Sequence, residues 1–215
     1  MTPELELKTG SNTCLVMAYD DGVRDSGDIA SGINLRYCRR QRYDFRFYSK
    51  GFDTIRHPAW SKILFARETL KDYDWVLWMD SDAIVTDQDK RLDYYMTMGG
   101  VLTVGEDLPQ WGLNTGVFLL RKCDPAFRFL DEVWETPKFV RANHEQDRIV
   151  ELAPKMGKNI VVYSPRALQS FAATHVYPEK FIWRAGDFIA HCLGSGGIGE
   201  SRVDRIRRIM WQAGL

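Results

Sequence analysis

Short apolar runs alternate with amphipathic stretches along most of the chain. Residues 14–19 (Cys-Leu-Val-Met-Ala-Tyr) are apolar and stop at Asp20-Asp21-Gly22, which predicts a buried strand entering a loop. Residues 28–40 set Ile29, Ile33 and Tyr37 on one helical face, and 45–48 form a second strand. Residues 58–70 predict a helix with Pro58 in its first turn and Trp60, Ile63, Leu64 and Arg67 at helical spacing. Trp75-Val-Leu-Trp-Met79 is a near-continuous apolar run, the pattern of a strand covered on both faces. Residues 101–104, 116–120 and 160–163 repeat that character. Helices are expected over 125–134, with Asp124 as N-cap before a first-turn proline, and over 145–152. A short strand over 188–190 leads into Gly194-Ser-Gly-Gly-Ile-Gly199. Residues 202–211 then form an amphipathic helix with Val203, Ile206 and Met210 on one side.

This alternation predicts an α/β fold with a mostly parallel central sheet flanked by helices. No repeat, low-complexity tract or linker divides the chain, so a single domain over 1–215 is expected. At 45% hydrophobic and 27% charged residues, the composition is that of a globular protein and excludes a disordered one. Lys and Arg number 29 against 29 Asp and Glu, so no net field attracts nucleic acid or a membrane surface. A phosphate-bearing ligand would have to be held by local chemistry. Cys14, Cys38, Cys123 and Cys192 form no Cys-x-x-Cys pair, which argues against a zinc knuckle and fits a reducing compartment. The start Met-Thr-Pro-Glu-Leu-Glu-Leu-Lys has no signal-peptide core, and no stretch approaches the ~20 apolar residues of a membrane span. A cytoplasmic protein with no membrane span and no nucleic-acid partner is expected.

The chemistry concentrates in Trp75-Val-Leu-Trp-Met-Asp80-Ser-Asp82. Carboxylates two residues apart project to the same side of an extended chain. At the carboxyl end of a buried strand they sit where open α/β sheets bind ligands. Magnesium and manganese take such oxygen ligands and share themselves with substrate phosphates, offsetting charge on a departing diphosphate. A solvated strand-end turn explains the same residues without function. A calcium-binding loop is excluded, because Ile84, Val85 and Arg91 stand where an acid or amide, a glycine and a glutamate are needed. A haloacid dehalogenase-type phosphohydrolase with Asp80 as nucleophile stays open. Ile84 departs from its pattern, however, and the later acidic pair it needs near Gly-Asp is not completed at Gly186-Asp187, which is followed by Phe-Ile-Ala-His.

Further segments make the pattern resemble glycosyltransferase family 34, the galactosyl-, xylosyl- and mannosyltransferases. They are His57-Pro-Ala-Trp-Ser-Lys62, Trp111-Gly-Leu-Asn114-Thr-Gly116-Val-Phe-Leu-Leu-Arg121, Glu145-Gln146, and Phe188-Ile-Ala-His191-Cys-Leu-Gly194. They occur in the family's order. Glu145 stands where the family usually carries Asp, the chain is short, and no N-terminal anchor is seen. The resemblance implies a GT-A-type nucleotide-sugar-binding domain, a divalent metal (manganese, or magnesium), a nucleotide-diphosphate sugar as donor, and transfer to a carbohydrate or other hydroxyl acceptor with retention of configuration. A non-catalytic nucleotide-sugar-binding protein is the remaining alternative.

By position on these motifs, Asp82 is a direct metal ligand, and Asp80 either shares the ion or binds the donor ribose. His191 is a third ligand or a packed structural histidine. Tyr19 and Asp20, at the end of the first strand, are expected to stack on the nucleotide base and accept from it, or to be a buried ring and a turn acid. Lys62 reads as a helix-surface lysine or a donor contact. Asn114 beside Gly116 offers a two-way hydrogen-bonding amide to a sugar, or makes a structural turn. The resemblance puts Gln146 at the reacting face of the sugar. Glu145 there would stabilise a developing positive charge, unless it is simply a helix N-terminal acid. Gly194 opens a loop that either wraps the diphosphate or is merely flexible.

Overall fold

Strands and helices alternate as the pattern predicts. The computed structural model describes residues 1–96, 100–135, 145–172, 177–193 and 199–215. Its first half runs β1 (Leu5–Leu7), β2 (Thr13–Ala18), α1 (Arg24–Gln41), β3 (Asp44–Tyr48), α2 (Ser61–Leu70), β4 (Trp75–Met79) and β5 (Ala83–Val85). The second runs β6 (Leu102–Glu106), β7 (Leu113–Arg121), α3 (Asp124–Trp134), α4 (Glu145–Leu152), β8 (Ile160–Tyr163), β9 (Gln169–Phe171), β10 (Ile189–His191) and α5 (Arg202–Ala213).

Successive strand side chains face opposite sides, so an unbroken apolar run needs cover on both. In β2, Leu15 and Met17 pack with Ile33 and Tyr37 of α1, whereas Cys14 and Val16 pack with Ile63 and Ala66 of α2. In β4, Leu77 and Met79 join the first of these cores, Val76 and Trp78 the second. Helix α5 adds Ile206 and Ile209 to the α1 side, and α3 adds Phe129, Leu130 and Val133 to the α2 side.

The large sheet has the order β1-β3-β2-β4-β7-β6-β8. Strands β3, β2 and β4 are parallel, as are β6 and β8, but β7 runs antiparallel to both its neighbours and β1 antiparallel to β3. The sheet is therefore mixed. β6 and β7 are joined by residues 107–112 alone, a connection that suits only antiparallel strands. A smaller sheet of order β5-β10-β9 completes the architecture. Its three-residue strands, like β1, are too short to show a period, and only β10 was anticipated, displaced by one residue.

Several helix starts differ from expectation. Asp20 accepts from Gly22 N at 2.9 Å and opens a 3-10 turn at Asp21–Val23 that feeds directly into α1, four residues before position 28. The stretch from Pro58 also begins as a 3-10 turn, Pro58–Trp60, before α2. Asp124 is not the N-cap of α3. Cys123 holds that position without a side-chain capping bond, and Asp124 lies in the first turn, where its charge suits the helix dipole.

Candidate metal and donor site

The chain leaves the large sheet after β4 and enters the small one at β5, and the crossing is Asp80-Ser81-Asp82. Ala83 N donates to Asp80 O at 3.0 Å, closing a tight turn. Contrary to expectation, then, a turn and not an extended chain brings the carboxylates together. Asn34 of α1 secures the entry, donating to Ala83 O and accepting from Val85 N, each at 2.9 Å. β10 pairs antiparallel with β5, with His191 opposite Ala83, and Cys192 N donates to Asp82 O at 2.7 Å. This register delivers His191 from 109 residues away to Asp82, with Nε2 3.1 Å from Oδ1.

One ligand-capable atom from each of Asp80, Asp82 and His191 lies within 4.8 Å of the others. Asp82 and His191 are buried, and His191 Nδ1 is buried with no hydrogen-bond partner. Burial opposes ionisation of Asp82, but His191 and Arg202 outweigh it and hold the carboxyl below its ordinary range. Two carboxylates closing on an imidazole with an unpartnered nitrogen fit a divalent cation of the magnesium or manganese kind.

Gly116 makes this arrangement possible. A Cβ there would lie 2.1 Å from His191 Cε1. Gly116→Ala is expected to push the imidazole off Asp82, costing about 1–3 kcal/mol in overpacking. Manganese affinity should fall well beyond what the loss of folded protein explains; titration of the folded variant with unchanged affinity would contradict this.

Behind the turn, Lys62 is buried and not a helix-surface residue, at 5% exposure. Its Nζ lies 2.9 Å from Asp80 Oδ1, 2.7 Å from Glu145 Oε1 and 3.2 Å from Thr115 O. Burial disfavours the ammonium, yet Asp80 and Glu145 more than compensate and push its pKa above the usual lysine value. Trp78 Nε1 donates to the same oxygen, Asp80 Oδ1, at 2.7 Å. Glu145, the first residue of α4, is buried with Oε2 unpartnered, which an ordinary helix-terminal acid would not be. Thr115 N donates to Gln146 Oε1 at 3.0 Å. A backbone N–H can only donate, so the oxygen end of Gln146 is fixed there and its NH2 faces away.

Tyr19, Asp20, Lys62, Asp80 and Asp82 line one cavity of about 460 Å³ together with Phe52, His57 and Arg202. Tyr19 is buried, stacked on Phe47 at 4.2 Å, with its hydroxyl 2.9 Å from Asp28 and Ser31. Asn114, Glu145 and Gln146 are not among the cavity's lining residues. Asn114 donates to Asp107 Oδ2 at 2.9 Å and accepts from Gly116 N at 3.0 Å, so its amide already shapes the entry to β7. Gly194 lies outside the described residues. Arg202 opens α5, Phe52 lies in the loop after β3, and neither carries a motif, so nothing in the sequence marked them. Asp187, on which the phosphohydrolase reading depended, is clamped by Arg166 at 2.8 and 2.9 Å and does not line the cavity.

A mixed sheet with a carboxylate turn bridging it to a smaller one is the GT-A glycosyltransferase fold. A glycosyltransferase involved in glycosylation of the major capsid of PBCV-1 superposes with a TM-score of 0.70 at 20% identity, covering 93% of this chain and 98% of that one. Galactosyltransferase LgtC, solved with donor and acceptor sugar analogs, gives 0.57 at 16% identity, covering 94% and 95%. Residues 33–103 match the galactosyl transferase GMA12/MNN10 family, a stretch that contains Asp80 and Asp82 but not Asn114, Gln146 or His191. Galactomannan galactosyltransferase 1 of Cyamopsis tetragonoloba is 32% identical over 118 residues, 48% of this chain and 27% of that protein. Xyloglucan 6-xylosyltransferase 2 of Arabidopsis thaliana is 32% identical over 107 residues, 45% and 23%. The chain is a relative of glycosyltransferase family 34, as its motifs indicated. It spans about a quarter of the length of the curated relatives it matches. Among the described residues no helix is long and apolar enough to cross a membrane.

Proposed function

We propose that this chain is a metal-dependent glycosyltransferase that moves a sugar from a nucleotide-diphosphate sugar to an acceptor hydroxyl, on a carbohydrate or another molecule, with retention of configuration. The observation that carries the reading is the convergence of Asp80, Asp82 and His191, with both acids lining the cavity that Tyr19, Asp20 and Lys62 also line. In this reading Asp80, Asp82 and His191 hold manganese or magnesium, which when bound supplies a Lewis acid to the diphosphate. Tyr19 and Asp20 form the wall that meets the nucleoside. Lys62 keeps Asp80 directed at the cavity, and its charge favours a diphosphate nearby. Thr115 aims the NH2 of Gln146 as a hydrogen-bond donor, and Glu145 supplies negative charge where positive charge develops on the sugar. Asn114 acts through the backbone it holds. Retention rests on the resemblance to family 34 and is tested by the anomeric configuration of the product.

The experiment is a thermal-shift matrix of manganese against uridine- and guanosine-diphosphate sugars. A ligand at ~100 times its Kd stabilises by about 2.7 kcal/mol, or roughly 5–10 °C in Tm for a chain of this size. Cation and donor together are expected to exceed the sum of their separate shifts, and a chelator to abolish the donor's contribution. Donor affinity indifferent to the chelator would remove the metal from the proposal.

A further inference from the structure

We propose that Arg202 is a phosphate-binding residue of the donor site and that, without donor, it competes with the cation for Asp82. The inference rests on the function proposed above. Arg202 Nε lies 3.1 Å from Asp82 Oδ2, on the carboxylate whose other oxygen contacts His191. A guanidinium and a divalent cation on one carboxylate repel each other and divide its charge. Each therefore weakens the other's hold on Asp82.

The neighbouring charges explain why Arg202 is there and where it goes. It is the first residue of α5, capped by Ser201, and a cation at a helix N-terminus is opposed by the dipole. The acids beside it are engaged elsewhere: Glu200 with Arg205 and Arg208, Asp204 with Ser201. Asp82 is its carboxylate partner among the described residues, and even there Arg202 Nε makes no well-aligned hydrogen bond. The contact is a charge pairing with the directional capacity of the guanidinium unspent. Lys62, the other Lys or Arg side chain lining the cavity, is already divided among Asp80, Glu145 and Thr115 O. Arg202 is thus the side chain available to grip an incoming anion, and its planar fork matches phosphate oxygens. When a diphosphate arrives, it gives Arg202 an anion and frees Asp82 for the metal. Cation and nucleotide then assist each other's binding, and the coupling is reciprocal.

The two halves predict opposite signs for one substitution. In Arg202→Met, manganese alone should bind several-fold tighter than to the unsubstituted chain. Uridine or guanosine diphosphate, titrated with saturating manganese, should bind about ten-fold weaker or worse. Arg202→Lys, which keeps the charge but not the fork, should hold manganese affinity near the original value and recover only part of the nucleotide affinity. Free-manganese EPR reads the first quantity and calorimetry the second, without any assay of transfer. Manganese affinity unchanged or weakened in Arg202→Met overturns the competition, and unchanged nucleotide affinity overturns the phosphate role. If the unsubstituted chain binds neither manganese nor either nucleotide, the functional reading fails together with this one. If it binds both cooperatively and Arg202→Met does the same, only this inference fails.

Discussion

Asp82→Asn is expected to lower the proposed sugar transfer about a thousand-fold or more, equivalent to roughly 4 kcal/mol of transition-state stabilisation, while the fold survives. The substitution keeps the volume of a buried side chain and leaves its backbone bond with Cys192 N untouched, so the β5–β10 junction persists. What goes is the negative charge that His191 and Arg202 hold ionised despite burial. In the proposed site a cation would then lose an anionic ligand, and charge on a departing diphosphate would lose its counter-charge. The folded state gives up the contact with His191 and the pairing with Arg202, about 1–3 kcal/mol, and Tm falls by about 2–10 °C. Transfer rate, manganese affinity and melting curve measured on the same preparation separate the two effects. Near-normal turnover in Asp82→Asn would remove this carboxylate from the site.

The difference between a carboxylate pair legible in place and a histidine legible only through a motif shows what the sequence encodes locally. Trp75–Met79 is legible as a two-face-buried strand because its cover comes from whole helices, and the acids that follow stand out against it. The geometry that makes them useful is not local. It depends on β5 and β10, each three residues long, meeting in register across a gap of about a hundred residues. No periodicity survives in a strand that short. His191 was found through its motif, whereas the need for Gly116 follows only from how closely the imidazole approaches the β7 backbone. The choice between a surface lysine and a donor contact at Lys62 was left open for a related reason. Its helix was read correctly, but a single helix does not reveal that α4 and the Asp80 turn both close over it. Arg202 carried no signal at all, since an amphipathic tail helix is expected to begin with polar residues.

Lys62→Met is the substitution that most endangers the fold. It leaves Glu145, 2% exposed and with one carboxylate oxygen already unpartnered, facing Asp80 with no cation between them. Breaking a buried pair from one side costs about 3–5 kcal/mol, because the remaining charge keeps its desolvation penalty and loses its compensation. For a chain of this length that is a drop of roughly 6–20 °C in Tm. If the unpaired charge is the cause, neutralising it should help. The double variant Lys62→Met/Glu145→Gln is expected to recover more than half of the lost stability, although Glu145→Gln alone destabilises the original chain. Such a sign reversal in a double-mutant cycle is the signature of direct coupling. The pH dependence provides a second check. The pKa of Lys62 is raised on folding, so its contribution is fully present below the unfolded value of ~10.4 and is lost only as pH rises through the higher folded value. The contribution of the Lys62 ammonium to the melting gap between the original chain and Lys62→Met should therefore stay flat from about pH 6 to 9. A double variant no more stable than Lys62→Met would mean that lost packing around the lysine stem, and not the stranded carboxylate, sets the cost.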